Sequence, residues 1–292
     1  MWISCHIYYE RPVESFLINA INPIIDELIR NEIITNFFFI RYYDRGYHIR
    51  LRLKHGVEEK DFEIKNYLTN YLTDYINTFP SKRDSVEINH LPNNHFFFTE
   101  YEPEIERYGG AEAIIIAENQ FQFSSSVIFK IIKETSEWTY QEAIIKAIYL
   151  NLAFCYSIIA ETKETISFLK YNFDNWLINV YNSNSTHNRK EVITNYESQY
   201  EIRKNNLNPT IKALWLALNE NAIFEEEWMN TWVSEMQKTS YQLNLVIKNR
   251  KPLYSIFDSY LHMTNNRLGI LNRDESYISY LIYRSLEDIH GF

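Results

Sequence analysis

Phe37-Phe38-Phe39-Ile40-Arg41-Tyr42-Tyr43-Asp44-Arg45-Gly46-Tyr47-His48-Ile49-Arg50-Leu51-Arg52-Leu53 reads as two β-prone runs folded back on each other at Asp44-Arg45-Gly46. Aromatic and aliphatic residues fill both runs, and a short turn ending in glycine between them is a hairpin signal. In the second run, period-two alternation places His48, Arg50 and Arg52 on one face and Ile49, Leu51 and Leu53 on the other. An antiparallel sheet with one apolar and one cationic face is therefore expected near the N-terminus.

Upstream, residues 2–9 form a β-rich run, and Phe16/Leu17, Ala20/Ile21, Ile24/Ile25 and Leu28/Ile29 recur every four residues as the buried stripe of an amphipathic helix. Pro12 suits the first turn of that helix and Pro23 should kink it. Downstream, a helix is expected around 58–78. Residues 85–91 and 95–101 then flank Pro92-Asn93-Asn94 as a second hairpin. After Gly109-Gly110 the pattern is helical almost throughout. Thr139 and Glu142 are spaced as a capping box, 182–188 is a polar linker, Pro209 and Pro252 mark helix starts, and Gly269 closes a helix. The fold class expected is α+β: an antiparallel-sheet-containing α/β part over 1–110 packed with a largely helical half over 111–292, together one domain.

At 292 residues and 46% hydrophobic, the chain is long enough to bury a sizeable core. A net charge of -9 lacks the basic excess that non-specific nucleic-acid binding needs. Cys5 and Cys155 are far apart, with no neighbours at metal-ligand spacing, so both are read as buried thiols; no metal and no cofactor is expected. The chain begins in a strand-like run rather than a leader, and no apolar run reaches the roughly 20 residues of a membrane span. A cytoplasmic location is expected.

Three polar clusters stand out. Arg50 and Arg52, about 6.6 Å apart along one strand face, need water, carboxylates or an anionic ligand; Arg41 on the partner strand is expected to join them. The plainer alternative, a solvated face paired with carboxylates, stays open. The second cluster is Tyr101-Glu102-Pro103-Glu104-Ile105-Glu106-Arg107-Tyr108-Gly109-Gly110, whose crowded carboxylates should seek compensation from the Arg50/Arg52 face. Alone, such a segment more often means a charged surface loop with a helix start. In the third, His262 and Asn266 share a helix face at i, i+4, followed by Arg267 and Gly269; a lone helical histidine is more often structural. GxSxG, HExxH, P-loop and dinucleotide fingerprints are missing, which weakens hydrolase, zincin, NTPase and dinucleotide readings.

In order, these pieces resemble the C-terminal elimination domain of lantibiotic dehydratases, also known as the thiopeptide-type bacteriocin biosynthesis domain. The resemblance rests on the Trp2 strand, Phe38-Phe39-Ile40-Arg41-Tyr42, His48-Ile49-Arg50-Leu51-Arg52, Tyr101 through Gly110, and His262 with Asn266-Arg267-Leu268, nearly end to end. It implies a single elimination-type domain that expels glutamate from glutamylated Ser or Thr of a ribosomally made precursor peptide, leaving dehydroalanine or dehydrobutyrine. It further implies catalytic roles for Arg50, Arg52, Glu104, Arg107 and His262, with Arg41, His48, Tyr108, Asn266 and Arg267 contacting substrate. The partners implied are the precursor peptide and a separate tRNA-dependent glutamylating subunit, with no direct nucleic acid and a homodimer left open.

One departure is visible. The family's Asp-Ser pair is replaced by Ser124-Ser125 after Phe121-Gln122-Phe123, so an acidic residue is lost. Two rivals remain: a thiopeptide pyridine synthase joining two dehydroalanines, and a non-catalytic precursor-binding subunit, which the lost acid supports. A neighbouring gene for a glutamylating partner would favour elimination, and azole-forming genes beside a complete dehydratase would favour the synthase.

Overall fold

A computed structural model describes residues 1–57, 60–181, 188–248 and 250–292. The chain forms two compact units, Met1–Trp138 and Thr139–Phe292. The fold is mixed as the sequence indicates, with a four-stranded antiparallel sheet near the N-terminus and a helical C-terminal half.

In the first unit, β1 (Trp2–Tyr8), β2 (Asn36–Tyr43), β3 (Tyr47–Lys54) and β4 (His95–Thr99) lie in the order β2-β3-β1-β4. The expected hairpin is present. Tyr43 pairs with Tyr47 across the turn, and Arg45 and Gly46 both take positive φ, which Gly46 adopts without the Cβ clash other residues would meet. Ile49, Leu51 and Leu53 are buried with Ile3, Cys5 and Ile7 of β1, so the apolar face carries the core.

The second expected hairpin is not formed. β4 pairs with β1 instead, and among the described residues 85–91 has no strand partner: Val86 and Ile88 are exposed, while Leu91 donates its N–H to Arg45 O. Residues 81–94 cross over to reach the free edge of β1, held by Ser81, which donates to Asn93 and whose own N–H is taken by Asn94. A central strand with an open edge outcompeted a local hairpin.

Helices α1 (Val13–Phe16) and α2 (Asn22–Arg30) are joined by a π-helical turn at Leu17–Ile21. The wider turn just before Pro23 answers its missing N–H and ring bulk, so the expected kink takes the form of a π segment. α3 (Asp61–Thr78) buries Ile64, Leu68, Leu72 and Ile76.

α4 (Ala111–Glu134) belongs to this unit because it covers the edge strand. Phe129 stacks on Phe37 and Phe39, Phe121 meets Phe38 edge-on, and Ser125 Oγ accepts the outward N–H of Phe39 at 3.2 Å. Covering an edge in this way removes an aggregation-prone row of donors.

The second unit comprises α5 (Tyr140–Ile158), α6 (Thr162–Tyr181), α7 (Arg189–Asn219), α8 (Glu227–Val246), α9 (Arg250–Leu268) and α10 (Asn272–His290). Thr139 caps α5 by accepting the Glu142 N–H, and α9 ends at Gly269 (φ 88°) with Ile270 N–H on Asn265 O, the Schellman pattern. Pro209 does not start a helix but lies inside α7; buried Tyr200 before it and Ile211, Leu214 and Trp215 after it hold the helix through. Pro252 falls in the first turn of α9, as expected. Except for Asn188, which caps α7, the expected linker at 182–188 lies outside the described residues. No described helix is long and apolar enough to cross a membrane.

Candidate active site

The sheet face opposite the core carries the first cluster. Register pairs His6 with Arg50, Ser4 with Arg52, Phe38 with Arg52 and Tyr42 with His48, so His48, Arg50 and Arg52 share a face with Trp2, His6, Tyr8, Tyr42 and Phe97. The Arg50 guanidinium lies 3.4 Å from the centre of the Tyr42 ring and donates from Nε to His48 Nε2 at 3.1 Å. Arg52 is 7% exposed; its Nη2 is 3.3 Å from His6 Nε2, and its guanidinium sits 5.7 Å from the Tyr101 ring. Among the described residues neither arginine is ion-paired with a carboxylate. On α4, buried Glu118 is engaged by Lys54 at 3.2 Å and by the Tyr101 hydroxyl.

Two cations without counter-charge reshape their neighbours. Burial, then the Arg52 and Arg50 charges, hold His6 down at about 3, and burial followed by Arg50 holds His48 at about 4 despite its bond to Gly46 O. Arg52 itself is lowered to about 10, chiefly by burial and then by Arg50. Arg52 remains a cation, and both imidazoles are neutral at physiological pH. Among the described residues the hydrogen bond of Arg50 is made from Nε, which leaves the Nη groups as the end-on edge that receives a carboxylate in bidentate fashion.

Arg41 is not part of this face. The three-residue turn pairs it with Ile49, which turns it to the core side, where it is 8% exposed and bonds Glu14 at 2.7 Å. In the 101–110 segment, Glu104 takes compensation from within its own loop rather than from Arg50 or Arg52: Arg107 Nη1 donates to it at 3.0 Å, and both side chains are exposed. Tyr108 is buried against Phe121, which meets Phe38, and Phe38 meets Tyr101. This aromatic chain ties the Glu104/Arg107 loop to the arginine face.

The third cluster belongs to the second unit. His262 of α9 stacks on Trp176 of α6 at 4.2 Å and 17°, and its Nδ1 lies 2.7 Å from Oε1 of Glu275 on α10. Asn265 holds the other Glu275 oxygen at 3.3 Å. One turn before His262, Asp258 accepts from Trp176 Nε1 at 3.0 Å and from Asn172, which in turn accepts from Ser279. Burial raises both Asp258 and Glu275 above the usual carboxylate range, with His262 opposing the shift. Asn266 shares the His262 face, half-buried, whereas Arg267 is fully buried and donates to Met263 O at 3.0 Å.

His6 and Glu275 are absent from the sequence clusters. His6 had a faint signal, the period-two set Trp2, Ser4, His6 and Tyr8. Glu275 had none, since its role arises only where α9 packs on α10. Cys5 and Cys155 are both buried, as read from their surroundings, and Cys5 is pushed up to about 12 by burial. Among the described residues no group of three or more His, Cys, Asp or Glu side chains is placed to hold a metal.

A family described as "Lantibiotic biosynthesis dehydratase C-term" matches residues 2–286. The epidermin biosynthesis protein EpiB of Staphylococcus epidermidis is 25% identical over 287 residues, covering 94% of this chain and 24% of that protein. The chain spans about a quarter of the length of the curated relatives it matches. In fold it is similar to the pyridine synthase TbtD from thiomuracin biosynthesis, at 12% identity, a TM-score of 0.78 and 99% coverage of both chains. It is also similar to the tRNA-dependent lantibiotic dehydratase MibB from Microbispora sp. 107891, at 18% identity and a TM-score of 0.61, over 99% of this chain and 28% of that one.

Proposed function

The chain belongs to the lantibiotic biosynthesis dehydratase C-terminal family, and on that premise we propose that it expels glutamate from glutamylated Ser or Thr of a ribosomally made precursor peptide, after a separate tRNA-dependent subunit has attached it. The reaction removes the Cα proton, forms the Cα–Cβ double bond and breaks the Cβ–O bond. Glutamate departs as a carboxylate and needs no proton on the ester oxygen. The product is dehydroalanine or dehydrobutyrine.

The observation that carries this reading is the Arg50/Arg52 pair, two guanidinium groups on one face with no carboxylate partner among the described residues. Such a pair receives an anionic glutamyl group and stabilises charge that grows as it leaves. Arg107, aimed by Glu104, supplies a further donor. His48 fixes Arg50, and Tyr108 anchors the loop.

His262 takes the proton. With Nδ1–H donated to Glu275, its Nε2 lone pair is presented as a base, and Glu275 stabilises the imidazolium that forms. Asn266, on the same helix face, is assigned to the peptide. Arg41 and Arg267, both buried and turned to structural partners, support the scaffold rather than touch substrate.

The test is direct. A glutamylated peptide is incubated with the protein and free glutamate is measured; the wild type releases it, whereas Arg52→Ala and His262→Ala do not. Full release by both variants would overturn the assignment.

A second reading, pyridine synthase, is favoured by one observation, the mutual 99% coverage with TbtD. The same fold occurs in MibB, so fold does not choose between them. A peptide already bearing two dehydroalanines, converted to a pyridine-containing product, would favour the synthase.

A further inference from the structure

His6 lies outside every motif of the chain, yet it stands directly behind Arg52. An arginine has no lone pair, so a ring nitrogen 3.3 Å from Arg52 Nη2 must be the unprotonated one, which puts the His6 proton on Nδ1. The same logic fixes His48: Nε2 accepts from Arg50 Nε, and Nδ1–H donates to Gly46 O at 3.0 Å. The two imidazoles are stacked at 5.1 Å and 27°, with Tyr8 on His48 at 4.5 Å and Phe97 beside His6 at 5.3 Å.

We propose that His6 is a positioning residue for the arginine pair: with His48, it holds the two guanidinium groups from behind as a neutral acceptor, so that their remaining donors face one carboxylate-bearing ligand. Only the identity of that ligand, a glutamyl group, rests on the elimination reading. A neutral acceptor is the chemically apt choice here. A carboxylate behind each arginine would aim it equally well but cancel the charge that an incoming anion needs.

The groups facing His6 reinforce its neutral form. Arg50 and Arg52 of β3 oppose a proton on His6, as does His48, and Tyr8 and Phe97 bring no negative charge at neutral pH. Asp44 acts on His48 and Tyr8 and does not relieve His6.

The test uses the full chain and L-glutamate as probe. Ring-nitrogen NMR of the wild type should show His6 neutral, protonated at Nδ1, from pH 7 down to pH about 5, where an ordinary histidine of pKa ~6.5 is mostly charged. His6→Phe keeps the ring stack and removes the acceptor, whereas His6→Gln restores one. We expect L-glutamate affinity to fall about tenfold in His6→Phe and to return in His6→Gln. An imidazolium or an Nε2–H tautomer at pH 7, wild-type protein that L-glutamate leaves unperturbed, or His6→Phe equal to wild type would overturn the proposal. Glutamate binding that depends on His6 while glutamylated peptide stays intact would support the positioning role and remove the elimination reading.

Discussion

His262 Nδ1 lies 2.7 Å from Oε1 of Glu275, a carboxylate only 1% exposed, while Trp176 covers the imidazole face. Three helices therefore fix one ring in one orientation. Glu275→Gln keeps the shape and removes the charge that stabilises the imidazolium. Glutamate release should fall by about 10²- to 10⁴-fold in His262→Ala and by a smaller factor in Glu275→Gln, with KM for glutamylated peptide unchanged in Glu275→Gln. Single-turnover and steady-state rates on the same peptide separate the two effects.

Ser125 has a structural task on α4. It bonds the buried edge N–H of Phe39 and the Phe121 carbonyl at 2.8 Å. Ser125→Ala leaves that donor unmet and should destabilise the protein by about 1–3 kcal/mol, read as a lower denaturation midpoint at constant m-value. Glutamate release below the transition should match wild type.

Acid should destabilise the first unit through its imidazoles. His6 and His48 titrate at about 3 and about 4 when folded, below an unfolded value of about 6.5. The unfolded chain therefore binds more protons across this window, and their contribution is complete above pH ~6.5 and lost as pH falls toward 4 and 3. Asp258 and Glu275, raised by burial, act oppositely: their contribution is present at low pH and fades as pH rises through their folded values. A series of thermal melts should show His6→Phe with a shallower loss between pH 6.5 and 4 than wild type.

The Glu104/Arg107 pair separates stability from activity. Both side chains are exposed, so Glu104→Gln should change stability by about 1 kcal/mol or less. The loop is pinned independently by buried Tyr108. Loss of glutamate release without a shift in melting temperature is expected, and retention of full activity would remove Glu104 from the mechanism.

Much of the sheet was legible in advance, because a half-buried strand declares itself by alternation. His48-Ile49-Arg50-Leu51-Arg52 has the same faces in the structure as in the pattern. Arg41 could have been placed correctly too, since a three-residue turn pairing Tyr43 with Tyr47 brings Arg41 opposite Ile49. The partner of β4 was not legible: 85–91 has strand-like composition, and only the open edge of β1 decides where β4 goes. Pro209 misled because its local preference was overridden by packing on both sides. Among the candidate residues, strand alternation and helix spacing brought out the arginines and His262, but the acceptors beside them, His6 and Glu275, emerge only when neighbouring strands or neighbouring helices are set side by side.

The elimination claim is tested most directly by mass spectrometry of a precursor peptide co-expressed with its glutamylating partner, with and without this protein. Glutamyl adducts should accumulate in its absence and give way to dehydrated residues in its presence. Complete dehydration without it, or adducts that persist with it, would contradict the account.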